Sequence, residues 1–376
     1  MLKTTEYGAK IKIKSILISI VLLTSFMPIS ALARSHPFVF FTSADIPALQ
    51  AKVSQSGSRS RKAYDLFFTG IPTLDLQNMG GLKHEVFYQK QLLQVALKYT
   101  ITGDAKYADR AISGIDRAME MYNPDTFNWE DTGWAQARSP AQRKSVGSWL
   151  WCWGFGEVTR AVAVTYDIVY DEMTVAKRAQ VLDWLERVCY HFKNNVRDEL
   201  HNQTLPAYAA MAFVCWIIRD DTNDNVIKNQ YPSYANDFVR RWYDEMYFQL
   251  NGDFTESALY TYFGADTCFS YSAALHINNE PDILSGTSAS NVLKFIGHGT
   301  LAYQENGFPV LPGFGDNSER YNMTRYSCTL VPILISQDPV QLFYYKHSID
   351  DLNNMQSIAN IIATNSLVNT VLFYPE

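Results

Sequence analysis

Apolar residues recur along most of this chain at the spacing of a helix rather than of a strand. Leu92, Val95, Ala96 and Tyr99 stand at i, i+3, i+4 and i+7, which is one face of an amphipathic helix. Ala108, Ala111, Ile112, Ile115, Ala118, Met119 and Tyr122 make a second stripe, and Val181, Leu185, Val188 and Phe192 a third. Between the first two, Gly103 ends one helix and Asp104 is placed to cap the next. So short a turn makes the two helices antiparallel neighbours. Thr174 opens the third stripe, and Thr42-Ser43 precedes an earlier one at Ile46, Leu49 and Val53. The segment Leu205 to Ile218 differs, because Ala207 to Ile217 is apolar on every side. Such a helix is buried all round. Further helices are expected around 235–250, 257–275, 288–304, 323–336 and 352–363. Strands are scarce, with Phe38–Phe41 and Val371–Tyr374 the best short candidates.

Amphipathic outer helices alternating with an all-buried inner helix predict an all-α fold, a double-layered (α/α) toroid built from helical hairpins. No strict repeat period is visible, which excludes a short solenoid. The 122–150 segment reads as a loop, with Asn123, Pro124, Gly133 and Pro140. Long loops in compact domains are often functional.

The N-terminus breaks the helical pattern. Lys3, Lys10, Lys12 and Lys14 precede a mostly apolar run from Ile16 to Met27. That run is too short to span a bilayer comfortably. Ala31-Leu32-Ala33 then supplies small residues for cleavage, so residues 1–33 read as a secretory signal peptide. A periplasmic or secreted product is expected, with no membrane association after cleavage. The four lysines and Glu6 of the leader carry +3, so the −6 of the whole 376-residue chain becomes −9 after residue 33. An acidic chain lacks the electrostatic footprint of a nucleic-acid binder. Five cysteines, with no CxxC pair and no Cys/His cluster at ligand spacing, give no support for zinc. Cys152, Cys189, Cys215 and Cys268 stand in apolar surroundings and read as buried free thiols.

Four stretches, at residues 36–42, 101–108, 252–260 and 311–316, resemble the heparinase II/III-type polysaccharide lyases and their alginate-lyase relatives. His36-Pro37-Phe38-Val39-Phe40-Phe41-Thr42 is similar to the opening that precedes their first helix. Ile101-Thr102-Gly103-Asp104-Ala105-Lys106-Tyr107-Ala108 is similar to a helix–helix turn. Gly252-Asp253-Phe254-Thr255-Glu256-Ser257-Ala258-Leu259-Tyr260 is similar to the segment with the lyases' tyrosine, and Leu311-Pro312-Gly313-Phe314-Gly315-Asp316 to a late loop. The resemblance implies an (α/α) toroid over residues 34–370, followed in the family by a β-sandwich. The family's β-sandwich would begin about where residues 371–376 stand, so the expectation is an incomplete toroid whose β domain is apparently missing. No cofactor is expected, although some relatives draw a metal site from the β part. Self-association through the open face is a further expectation.

The chemistry that this family performs explains the residue types. The C5 proton of a uronate becomes acidic once its carboxylate is neutralised by hydrogen bonds. A base then takes that proton and an acid protonates the leaving glycosidic oxygen. His201-Asn202-Gln203 resembles the Asn-Asn-His segment of the relatives, which implies that Asn202 neutralises the carboxylate and that His201 assists. Gln203 stands where the relatives often have His and is taken with the substrate contacts. Asn202 could equally cap the buried helix. The resemblance makes Tyr260 the acid–base candidate, with Tyr262 beside it and Glu256 either binding substrate or orienting Tyr260. Glu256 also suits the first turn of a helix, and Asp316 suits a turn. In the loop, Trp134, Arg138 and Arg143 could hold an anionic polysaccharide, or form a solvated charge cluster over packed rings. Two other functions compete with a lyase: a glycoside hydrolase, which needs a pair of facing carboxylates such as Asp253 and Glu256, and a non-catalytic glycan-binding protein.

Overall fold

The structure is a computed structural model that describes residues 34–68, 82–127, 150–196, 198, 200, 204–245, 247–248, 253–254, 258–292, 294, 304–305, 308–311, 321–322, 330–348 and 371–373. Contacts divide the chain after Arg34, and the larger unit runs from Ser35 onward. That unit is all-α. Its helices are α1 (Ile46–Ser54), α2 (Arg59–Phe68), α3 (Leu82–Thr102), α4 (Ala105–Met121), α5 (Leu150–Ile168) and α6 (Val175–Asn195). Then come α7 (Leu205–Ile217), the short α8 (Asn225–Asn229), α9 (Tyr231–Glu245), α10 (Ala258–Ile277), α11 (Leu330–Ser336) and α12 (Pro339–Ser348). Extended structure among the described residues is limited to two small antiparallel sheets. β1 (Tyr247–Phe248) pairs with β2 (Asp253–Phe254), and β3 (Gln304–Glu305), β4 (Phe308–Leu311) and β5 (Tyr321–Asn322) follow one another.

The helix boundaries obey local chemistry. At the α3–α4 turn Gly103 takes φ +65° and its N–H donates to the Tyr99 carbonyl at 2.7 Å. This left-handed C-cap is the conformation that glycine adopts without a Cβ penalty. Asp104 then accepts from the Lys106 amide at 3.2 Å. Thr174 caps α6 in the same way, through Lys177 N–H at 3.2 Å.

Contacts along the helices fix their directions. Asp167, near the end of α5, accepts from the Phe38 and Val39 amides. The Phe38 ring meets Trp216, near the end of α7, at 5.3 Å, and Asn278, just past α10, donates to the Phe38 carbonyl at 2.9 Å. Tyr99, late in α3, donates to Glu172, just past α5. The long helices α3, α5, α7 and α10 therefore run parallel, with the C-terminal ends of α5, α7 and α10 gathered at residues 38 and 39 and that of α3 beside the end of α5. Between them the chain returns through α4, α6 and α9. Tyr122 at the end of α4 and Phe192 at the end of α6 both lie 5.0 Å from Phe155, near the start of α5. All thirteen residues of α7 are buried, as its unbroken apolar sequence requires.

Several expectations need correction. α1 is preceded by Asp45, not capped by Thr42 or Ser43. Thr42 instead donates through its amide and hydroxyl to the Asp45 carboxylate at 2.8 and 2.7 Å. Residues 38–41 form no strand, because their polar backbone atoms pair with the side chains of Asp167 and Asn278 rather than with a neighbouring strand. Val371–Phe373 is helical and buried. The Val371 carbonyl accepts from Lys52 Nζ at 3.1 Å, and Phe373 meets Phe40 edge-on. Of the helix expected over 288–304, the described part opens with a 3-10 turn at Ser288–Asn291 and continues helical at Val292 and Lys294, Gln304 belongs to β3, and the residues between lie outside the described residues. The segment 352–363 lies outside the described residues.

Candidate functional site

The all-buried α7 begins one residue after the His201-Asn202-Gln203 segment, and what fixes that entry point is a glycine on its neighbour. A Cβ on Gly156 of α5 would stand 2.4 Å from the Pro206 carbonyl carbon and 2.6 Å from the Ala207 amide nitrogen. The two backbones approach so closely that no side chain fits there. Thr204 occupies the N-cap position of α7 but its side chain does not cap the helix, and Pro206 stands at its first positions, where a missing N–H is harmless.

The next residue of α5, Glu157, is buried and charged in character. Its Oε1 accepts from the Thr267 hydroxyl of α10 at 2.5 Å, and its Oε2 accepts from Arg160 Nη2 at 2.9 Å. Arg160 Nη1 reaches the Ser270 hydroxyl, also on α10, at 3.0 Å. The side chains of both ions are 5% exposed or less. A buried carboxylate and guanidinium persist only when paired and hydrogen-bonded, and here each is bonded to the other and to α10. The network locks the register of α5 against α10.

That register positions the start of α10. Tyr260 and Tyr262 lie in its first turns. Tyr260 is seven residues before Thr267, about 10 Å away along the helix axis. Since α5, α7 and α10 are parallel and Gly156 faces Pro206, the first turns of α10 and the start of α7 lie toward the same end of these helices. Of the sequence-chosen site residues, Tyr260 and Tyr262 are thereby placed along the chain at the start of α10. His201, Asn202, Gln203 and Glu256 lie outside the described residues, as do Trp134, Arg138 and Arg143. Asp253 sits in β2, paired with Phe248.

Motif reading does not find Glu157 and Arg160. The available signal is a Glu and an Arg one turn apart within the mostly apolar run 150–164. Two charges in a buried helix require a partnered pair.

A second buried ionic cluster lies at the opposite end. His36 Nδ1 meets Asp167 at 2.7 Å and Nε2 meets Asp221 at 3.2 Å. Its ring stacks on Tyr170 at 4.0 Å and meets Tyr166 edge-on at 5.7 Å. Burial pulls the imidazole down, but hydrogen bonds and charge from Asp167 and Asp221 outweigh it and raise His36 to about 9. Burial pushes Asp167 upward, against the pull of His36 and of the two amides. Burial likewise raises Tyr166, so its phenol stays protonated. With both nitrogens engaged, His36 is a clamp and not a free base.

Between α4 and α6 a groove of about 400 Å³ is lined by Asp116, Glu120, Lys177 and Arg187. Its cations are already neutralised, Lys177 by Asp116 at 2.7 Å and Arg187 by Asp125 at 2.6 Å. Among the described residues no three His, Cys, Asp or Glu side chains group as metal ligands would, and no helix is long and apolar enough to cross a membrane.

Compared with known proteins, the chain matches no family model and none of the curated proteins.

Proposed function

We propose that the chain is a polysaccharide lyase that cleaves uronate-containing glycans, of the alginate or glycosaminoglycan type, by β-elimination on an (α/α) toroid. In this reading Asn202 hydrogen-bonds the substrate carboxylate, lowering the barrier to loss of the C5 proton. Tyr260 takes part in proton transfer: a base removes the C5 proton, the C4–O bond breaks as the C4=C5 bond forms, and the leaving oxygen is protonated. Each such group contributes on the order of 10²–10⁴-fold. His201, Gln203, Glu256 and Tyr262 belong around the reacting sugar, and Trp134, Arg138 and Arg143 along the anionic chain. The product would act after export, in the periplasm or outside the cell.

One observation carries the reading. The entry to α7, directly after residues 201–203, and the first turns of α10, with Tyr260, lie toward the same end of parallel helices. The neutraliser and the tyrosine of the resembled family come from segments about sixty residues apart, and elimination needs both on one sugar. A hydrolase is less well supported. The buried carboxylate described at this end, Glu157, has both oxygens engaged by Thr267 and Arg160, so it is not free to act on a glycosidic bond.

Incubation of the full chain with alginate, hyaluronan and heparin, followed in the ultraviolet for unsaturated sugar, tests the proposal. Absorbance should rise with at least one of them. New reducing ends without unsaturation would mean hydrolysis, and binding without turnover would mean a lectin-like role.

A further inference from the structure

Two of the buried cysteines meet across the helix layers. Cys189 on α6 and Cys215 on α7 are each fully buried, and their sulfurs are 3.8 Å apart. A disulfide bond is about 2.0 Å long, so the sulfurs need to approach by less than roughly 2 Å, within what side-chain rotation and small helix shifts supply. The two residues are 26 apart in sequence, and the ring that their bond would close contains residues 201–203.

We propose that Cys189 and Cys215 form a disulfide when the chain folds in the presence of a dithiol–disulfide exchange oxidant. The thiolate of one cysteine attacks the oxidant's disulfide and releases one of its sulfurs as a thiolate. The thiolate of the other then attacks the mixed disulfide and releases the second. Two protein thiols become one S–S bond, the oxidant is reduced to two thiols, and the two protons pass to the released sulfurs or to solvent.

The surroundings set the order of events. Burial pushes the Cys189 thiol well above its ordinary range, and the Cys215 thiol, Glu186 and Asp224 reinforce the shift. With both sulfurs fully buried, the folded protein offers an oxidant no route to them. The bond forms before α6 closes over α7, and once formed it is shielded from reductant. Its stabilising effect lies mainly in the unfolded chain, whose freedom it restricts, and the restricted ring includes the segment leading into α7.

The test compares residues 34–376, without the leader that would carry the chain out of the cytoplasm and comprising the larger compact unit, made in a bacterial host with an oxidising cytoplasm and in one with a reducing cytoplasm. Each lysate is denatured in an alkylating reagent and digested without reductant. From the oxidising host the expected product is mainly a Cys189–Cys215 linked peptide, two hydrogens lighter than the two free peptides. From the reducing host both cysteines should be alkylated. Dithiothreitol should open the bond at least ~10-fold more slowly in folded protein than in urea-unfolded protein, because exchange requires access. A Cys189→Ala variant should leave Cys215 alkylatable in both hosts. Soluble protein from the oxidising host with both thiols alkylated, or with either one bonded to Cys152, Cys268 or Cys328, overturns the proposal. Equally fast reduction of folded and unfolded protein overturns the shielding.

Discussion

A glycine and a tyrosine give the sharpest tests. In an exposed helix, replacing Gly by Ala stabilises by about 1 kcal/mol. At Gly156 the sign reverses, because the added methyl would lie 2.4–2.6 Å from the backbone of Pro206 and Ala207. Backbone cannot swing aside as a side chain can, so α7 must move. Gly156→Ala should destabilise by roughly 1–3 kcal/mol, measured by urea unfolding, and should reduce turnover by displacing the entry of residues 201–203. Tyr260→Phe removes one hydroxyl. It should lower elimination by on the order of 10²-fold or more, while leaving the melting temperature and glycan binding nearly unchanged. Activity within tenfold of the parent would remove Tyr260 from the mechanism. Neither Gly156 nor the Glu157–Arg160 pair stands out in the sequence. Their importance comes from α7 and α10, whose packing on α5 no local pattern specifies.

Helix boundaries are legible where the signal is local. Gly103, Asp104 and Thr174 act within a few residues of themselves, and each does in the structure what its chemistry dictates. Thr174→Ala removes the acceptor for the Lys177 amide and should reduce stability by about 1 kcal/mol, read as a lower urea midpoint with an unchanged slope. Extended segments are not legible in this way. Phe38-Val39-Phe40-Phe41 has the composition of a strand, but its backbone hydrogen bonds go to Asp167 and Asn278, more than a hundred residues away. Val371–Phe373 likewise has strand-forming residues in a helical turn packed on Phe40. An apolar run shows that a segment is buried. Which partners satisfy its backbone is decided elsewhere in the chain.

For the whole molecule, the all-α class follows from periodicity, and the all-buried α7 marks the interior. The parallel direction of α3, α5, α7 and α10 is not legible, since it rests on contacts between distant segments. The clamp at their shared C-terminal end gives stability a pH dependence. His36 is raised in the folded state to about 9 from the usual 6.5. Its contribution is thus fully present below about pH 6.5 and is lost as pH rises through 9, amounting to on the order of 3 kcal/mol. The groups around it are Asp167, Asp221, Tyr166 and Tyr170, with Arg178 4.4 Å from the Tyr170 ring. His36→Gln should flatten the fall in unfolding free energy between pH 6.5 and 9. If the variant keeps the parent's slope, other groups carry it. The same clamp also sets a timetable. Residues 36–39 leave the ribosome long before their partners, since Asp167 follows His36 by 131 residues, Asp221 follows it by 185, and Asn278 follows Phe38 by 240. Closing so long a loop is slow compared with forming local hairpins. The helices can pair one after another as they emerge, while the segment that ties their ends together gains its last partner only when α10 is complete. The N-terminal segment is therefore fastened in stages as the chain emerges, first to the end of α5, then beyond α7, and last beyond α10.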